Sequence, residues 1–448
     1  MRTKRTSQVS IFDQFAEHEI GRELAGMSKW LDAHRNVLDG VAIDLRLRCV
    51  KATGRCGMTV ESILRCALLK QHRQLSYEEL AFYLLDSASF QAFARLPVGF
   101  VPKKSTLQAN ISAIKSTTWE ALNRCVLRDA KQIRVETGKM MRLDSTVTES
   151  PIHEPSDSSL LWDGMRVMVR LLQWAEELPG APALAWHNHS RVAKKRARAI
   201  QYTRGRENKA RLYRDLVAVS ETTMAYVQTA FMRLAAHQLM GQSYAHWRTQ
   251  VVHYRPLIQR VIEQTRRRVF AGEQVAAHEK ILSLFEAHTD IIVKGSREIQ
   301  YGHKLNLTSG RSGLILDVVI EDGNPADSER FLPMVERHID CYGYPPRQVA
   351  ADGGYASGEN VRQAKKMGVK DVAFHKKRGL SIEAMVKSQW VYRKLRNFRA
   401  GIEAGISCLK RTYGLARCTW KSIEHFHAYV WSSVVAHNLA LLTRLKPT

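Results

Sequence analysis

The sequence predicts a mixed α/β fold, in which a mixed sheet carries helices on its faces, a helical region precedes it and a large all-helical insertion interrupts it. Three observations carry this reading. Residues 140–448 give the order strand, hairpin, helix, strand, helix, strand, helix. Over a hundred residues between that first strand and the hairpin have almost no strand signal. Residues 1–139 read as a succession of amphipathic, capped helices. The domains expected are therefore a helical region at 1–139 and a sheet domain at 140–448, interrupted at about 157–290.

Composition narrows the function. The 448 residues are enough for two or three domains, and 45% hydrophobic residues suit a globular chain. A formal net charge of +25 implies a polyanionic partner, most often nucleic acid; a membrane surface or an acidic protein is the alternative. The seven cysteines, Cys49, Cys56, Cys66, Cys125, Cys341, Cys408 and Cys418, are scattered, with no CxxC pair. That pattern indicates neither a zinc finger nor a disulfide framework and suits a reducing cytoplasm. The first residues, MRTKRTSQVS, lack the apolar run of a signal peptide. AYVWSSVVAHNLALL is too short to span a bilayer, carries His437 and Asn438, and reads as a buried helix, so no membrane partner is expected. No GxxxxGK loop and no HExxH helix occurs, which leaves nucleotide hydrolysis and zincin chemistry unsupported.

Phe12 to His34 and Met58 to Gln71 are amphipathic helices, the second with Val60, Ile63, Leu64 and Ala67 as its stripe. Ser76 and Glu79 form a capping box for the next helix, and a short helix runs from Ser87 to Leu96. LPVGFVP breaks the chain. A second capping box, Ser105 and Gln108, opens a long helix from KKSTLQ onward. Short helices with tight turns resemble a helix-turn-helix module. KKSTLQ is the recognition-helix candidate, with Lys103 and Lys104 placed to meet phosphate at its start. Compact bundles with no DNA role share this pattern.

MMRLDSTV alternates as a strand with Asp144 on its more polar face. The insertion follows. Ser158 to Glu177 is an amphipathic helix with Asp157 as its cap, and LPGAPALA is a break. Arg191 to Arg214 holds ten Lys/Arg residues, among them Lys194, Lys195, Arg196 and Arg198. This run is either a DNA-tracking face or a solvated helix face. Helical stretches continue through Leu216–Leu239 and Tyr244–Phe270. His187 and His189, like His425 and His427, lack Cys or acidic partners at metal-site spacing. Trp162 and Trp186 read as packing residues.

KLNLT, the SGRSG turn and LILDVVI make a hairpin. A helix capped by Asp327 or Ser328 follows, then the strand RQVAAD with a sharp Gly353-Gly354 exit. GENVRQAKKMGV is a helix and KDVAFH a short strand. Leu395 to Arg417 is a helix on which Arg399, Glu403, Ile406 and Lys410, spaced by four, three and four, share one face. Alone, a carboxylate between two cations reads as a solvated ion-pair ladder. Asp352 at a strand end, Asp144 on another strand and Glu403 on this helix together make an oxygen-rich pocket for divalent metal. Two ions ~3.5–4 Å apart would serve an in-line phosphoryl displacement on DNA. In that reading Asp144 bridges both ions, Asp352 and Glu403 each hold one, and Arg399 and Lys410 bind the DNA backbone.

With these residues in place, the chain resembles a transposase of a bacterial insertion sequence, of the DDE class, and in particular the ISNCY-type group. The blocks that carry the resemblance are LDSTVTESPIHEPSDSSLLWDG, KGSREIQYGHKLNL, EDGNPADSERF, VAADGGYAS and NFRAGIEAGISCLKRTYGLAR, and it covers most of residues 59–160 and 290–445. The last block is similar to the Tyr-Arg-Glu-Lys signature through Arg399, Glu403 and Lys410, with Arg396 at the tyrosine position. The resemblance implies an RNase H-like core and two Mg2+ ions per site, with Mn2+ as a substitute. It also implies recognition of terminal inverted repeats, strand cleavage and strand transfer on double-stranded DNA. A homodimer or higher assembly on paired ends and a cytoplasmic, nucleoid-associated location in a bacterium are expected with it. A non-catalytic, domesticated or decayed relative that only occupies DNA ends is the alternative, and a nuclease that cuts without joining is another.

Overall fold

The computed structural model describes residues 18–46, 57–97, 99–237, 239–294, 298–376 and 378–445. The expected start of the first helix at Phe12, and Cys49 and Cys56, lie outside them; Cys66, Cys125, Cys341, Cys408 and Cys418 are free thiols. The chain forms two compact units, one of residues 1–151 with 292–448 and one of residues 152–291.

The first unit begins with helices α1 (Glu19–Ala33), α2 (Val37–Arg46), α3 (Val60–His72), α4 (Tyr77–Asp86), α5 (Ala88–Ala94), α6 (Lys104–Ile111) and α7 (Ser116–Gln132). Ser76 caps α4 in a full capping box with Glu79. Every residue of α3 is buried, Arg65 included, because Glu61, Ser28 and the Phe93 carbonyl accept its N–H groups at 3.0, 2.8 and 3.1 Å. The expected long helix from KKSTLQ is two helices, and Ser105 is not a cap: Lys103 stands at the N-cap of α6, and its side chain makes no capping hydrogen bond. The break has a tertiary cause. The Asp44 carboxylate accepts from the Lys115 N–H at 2.9 Å and the Thr118 hydroxyl at 2.6 Å, so a second N-terminus starts there.

The chain then enters β1 (Met140–Glu149). The second unit contributes α8 (Asp157–Glu176), α9 (Ser190–Tyr202), α10 (Arg206–Ala236) and α11 (Gln242–Thr265), with a π-helical turn at Arg266–Phe270. Its core is built on α8, where Leu161, Met165, Met168 and Leu172 are buried. Gly164 lets α11 approach, since a Cβ there would stand 3.1 Å from the Ile258 side chain. Ser156, not Asp157, caps α8. Asp157 is engaged elsewhere: Arg268 donates to it at 2.9 Å and Gln264 at 3.2 Å. Trp162 and Trp186 pack against this core, as expected of them.

The chain passes back into the first unit within β2 (Asp290–Lys294) and continues through β3 (Glu298–Ser309), β4 (Ile315–Ile320), α12 (Asp327–Tyr342), β5 (Gln348–Ala351), α13 (Gly358–Lys366), β6 (Asp371–Phe374), α14 (Ile382–Met385), α15 (Gln389–Thr412) and α16 (Ile423–Leu445). The strands form one mixed sheet in the order β2-β3-β1-β5-β6, with β4 also paired to β3. β3 runs antiparallel to β1 and β4, while β5 runs parallel to β1 and β6. The short strand β2 has no counterpart in the order expected from the sequence. Ala326, not Asp327 or Ser328, is the N-cap of α12; Lys304 holds Asp327 at 2.6 Å instead. The helix expected at Leu395–Arg417 starts earlier and ends at Thr412. Gly414, at φ +74, turns the chain there, and Arg417 bridges to Glu149 beside β1.

The helix α16 is buried, as its apolar run predicts, and packs on α1, α3 and α7. The Asn438 amide satisfies the Ile315 backbone at the start of β4 (2.8 Å to its N–H, 2.7 Å to its carbonyl) and reaches Asn123 on α7. The N-terminal helices, α16 and the sheet share one hydrophobic cluster. Among the described residues, no helix is long and apolar enough to cross a membrane.

Candidate active site

Strand register begins the site. Parallel pairing sets Leu143 opposite Ala351, so the next residue of each chain segment, Asp144 on β1 and Asp352 after β5, lies at the same place on the sheet. Asp352 opens a single 3-10 turn, Gly353–Tyr355. The two glycines are needed there for space rather than for backbone angle. A Cβ on Gly353 would stand 2.7 Å from Lys376 Cβ, and one on Gly354 2.7 Å from Asp327 Oδ2.

The helix α15 supplies the third side. It packs on β1, β5 and β6, buries Val391, Tyr392, Leu395 and Ile402, and brings Arg399 and Glu403 over Asp144. Arg399 Nη2 donates to Asp144 Oδ2 at 2.8 Å and lies 3.6 Å from Asp352 Oδ1. Its Nη1 donates to Glu403 Oε1 at 2.6 Å. One guanidinium thus contacts all three carboxylates. Asp144 also accepts from the Ser145 N–H through Oδ1 at 2.8 Å. The site is graded in depth: side-chain exposure is 11% for Arg399, 15% for Asp144, 41% for Asp352 and 61% for Glu403.

Among the described residues, no group of three His, Cys, Asp or Glu side chains is gathered tightly enough to hold a metal ion. The cation shared by these three carboxylates is Arg399. The donor set still suits a divalent ion: three hard carboxylates from three elements, already converging on one positive group and open to solvent on the Glu403 side.

Lys410 is two turns beyond Glu403 on α15. Burial pulls its ammonium pKa down, and Glu149 at the end of β1 pulls it back up. Arg396 is exposed on the preceding turn, its guanidinium 5.9 Å from the centre of the Tyr392 ring. Lys103 and Lys104 lie at the exposed start of α6, where Lys104 pairs with Glu78 at 3.3 Å. In the second unit, α9 buries Ala193, Ala197 and Ile200 and leaves Arg191, Lys194, Lys195 and Arg198 exposed. Arg196 is paired with Asp215 at 3.3 Å.

A polar network beside Asp144 escaped sequence reasoning. Tyr355 donates to Asn306 Oδ1 at 2.5 Å, and Asn306 donates to Glu321 at 2.7 Å. Asn306 is paired across the strands with Ser145. Burial, and then Asp327, Asp144 and Asp352, push the Tyr355 hydroxyl well above its ordinary pKa, so it stays a donor. The visible signal was the polar alternation Lys304, Asn306, Thr308 on β3.

Residues 293–439 match the family model described as the transposase DDE domain. That span contains Asp352, Arg399, Glu403 and Lys410, while Asp144 and the second unit precede it. The match supports the resemblance to insertion-sequence DDE transposases. No curated protein and no solved structure matches the chain.

Proposed function

Proceeding from a chain that carries a transposase DDE domain over residues 293–439, we propose that this protein binds the terminal inverted repeats of its own insertion sequence and cuts and joins DNA there. The observation that carries the proposal is the convergence of Asp144, Asp352 and Glu403 on one point from β1, the end of β5 and α15. The strand order, with one antiparallel neighbour of β1 and two parallel strands beyond it, fits an RNase H-like core.

Asp144, Asp352 and Glu403 are the residues that would hold Mg2+, or Mn2+ in its place, as a pair of ions. Bound there, the metal would activate a water or a DNA 3′-hydroxyl and stabilise the leaving oxygen of an in-line displacement. The chain's own side chains do the rest. The Asp144 carboxylate is oriented by the Ser145 N–H. Arg399 and Lys410 bind phosphates flanking the scissile bond. Lys103 and Lys104 on the N-terminal helices, and Lys194, Lys195, Arg196 and Arg198 in the helical insertion, supply sequence-independent phosphate contacts. Two ends handled together call for a dimer or a higher assembly.

The test is a cleavage assay on the DNA flanking the protein's own gene, with Mg2+, Mn2+ or EDTA, beside the Glu403→Gln variant. Nicks at defined positions that need both metal and Glu403, followed by joined products, are expected. Binding to those flanks with no metal-dependent cut marks a non-catalytic end-binding protein; cuts that are never joined mark a nuclease.

A further inference from the structure

Arg399 holds an unusual position for a residue meant to grip DNA. Its guanidinium points inward, not toward solvent, and lies where the three carboxylates converge: 2.6 Å from Glu403, 2.8 Å from Asp144 and 3.6 Å from Asp352. Three carboxylates brought together repel one another unless a cation is present, and among the described residues Arg399 is the cation seen to contact all three. Yet the seat is incomplete. Among the described residues, the buried Nε–H of Arg399 finds no hydrogen-bond partner, and the contact to Asp352 exceeds hydrogen-bond length. A structural buried arginine in the same protein, Arg65, gives its Nε–H to Glu61 at 3.0 Å. Glu403, the most exposed of the three acids, also leaves the guanidinium a short way out on the solvent side.

We infer that Arg399 is an internal counter-ion: it occupies the cation position of the three-carboxylate centre in the DNA-free protein and has to leave before divalent metal is held there. This inference rests on the proposed function of the site. A guanidinium and a divalent ion cannot both take the inward oxygens of Asp144 and Glu403. A DNA phosphate at the mouth of the site offers Arg399 a bidentate alternative. Metal loading is thereby coupled to DNA binding, and the protein without DNA is kept from filling its centre. The positive charge that neutralises the three acids before DNA arrives becomes the phosphate contact of the loaded site.

The test is Mn2+ binding to the full-length, DNA-free protein, followed by the electron paramagnetic resonance signal of free Mn2+. Wild type, Arg399→Ala, Arg399→Gln and Glu403→Gln are compared. Both Arg399 variants are expected to bind Mn2+ at least about tenfold more tightly than wild type, a gap of about 1.4 kcal/mol. Glu403→Gln is expected to bind more weakly. Equal or weaker Mn2+ binding by the Arg399 variants, with Glu403→Gln still weakened, overturns the counter-ion role and leaves the metal site standing. Unchanged binding in Glu403→Gln removes the metal site itself, and the inference falls with it. A structure of wild type soaked in Mn2+ gives an answer that needs no variant. Arg399 turned away from Asp144 supports the exchange; Mn2+ held on Asp144 and Glu403 with Arg399 still bonded to both overturns it.

Discussion

Arg142 on β1 and Gly401 on α15 are fitted to one another: a Cβ at residue 401 would overlap Arg142 Nη1. The guanidinium cannot easily give way. Its Nε donates to Ser309 Oγ at 2.7 Å and its Nη1 to the Phe398 carbonyl at 2.9 Å. It also lies over the Phe398 ring, 4.9 Å from the centroid. Two residues after Arg142 comes Asp144, and two after Gly401 comes Glu403. The fit therefore sets where the helix-borne acid stands against the strand-borne one.

Gly401→Ala is predicted to displace Arg142 and shift α15. Arg142→Met should act similarly by leaving the Phe398 carbonyl and the Ser309 hydroxyl without this partner. Each change should cost about 1–3 kcal/mol of stability, read as a lowered urea midpoint, and should lower cleavage. Full cleavage by Gly401→Ala would mean that this fit does not position Glu403.

Asp144→Asn, Asp352→Asn and Glu403→Gln are each predicted to lower cleavage by on the order of 10²–10³-fold or more, because in the proposed function each removes a carboxylate that would hold the divalent metal. Binding to end DNA should change little, since in the proposed function these groups serve chemistry rather than docking. Gel-shift and nicking assays on the same samples separate the two effects. Any variant that cuts at the wild-type rate is removed from the set of ligands.

Replacing Arg191, Lys194, Lys195 and Arg198 together by Gln tests the exposed face of α9. For each phosphate that the variant no longer neutralises, the slope of log affinity against log salt should fall by about 0.9. Arg196 is left in place because it pairs with Asp215. Fluorescence anisotropy over a salt series reads the slope, and an unchanged slope takes this face out of the DNA interface.

Stability should fall on mild acidification. Burial holds His338 and His437 neutral, with pKa values brought down to about 4. Above pH about 6.5 both are neutral whether folded or not, so they add no pH dependence. Between about 6.5 and 4 the unfolded chain binds protons that the folded one does not. Each histidine then costs about 1.4 kcal/mol per pH unit, and the loss levels off below the folded value. His338→Gln should keep a donor toward the Gly138 carbonyl, which His338 now reaches at 2.8 Å, and should flatten urea midpoints measured from pH 7 to 5. Identical slopes in variant and wild type would deny His338 this role.

Hydrophobic period and side-chain spacing are enough to give the element types, the helical run between Ser158 and Phe270 and the face of α15 that carries Arg399 and Glu403. Both signals act over a few residues, so they are legible in the chain before it folds. They also place an aspartate on each of two strands. That those strands are parallel neighbours with Leu143 opposite Ala351, which is what brings Asp144 to Asp352, is settled only by the assembled sheet. Where Arg399 points is equally a product of folding, since three carboxylates far apart in the chain compete for one guanidinium. Helix caps went the same way. Asp157 and Asp327 have the right chemistry to cap, but Arg268 and Lys304 reach them first, and Asp44 starts α7 from another helix. A carboxylate goes to its strongest available partner, and that partner is set by the fold rather than by the neighbouring sequence.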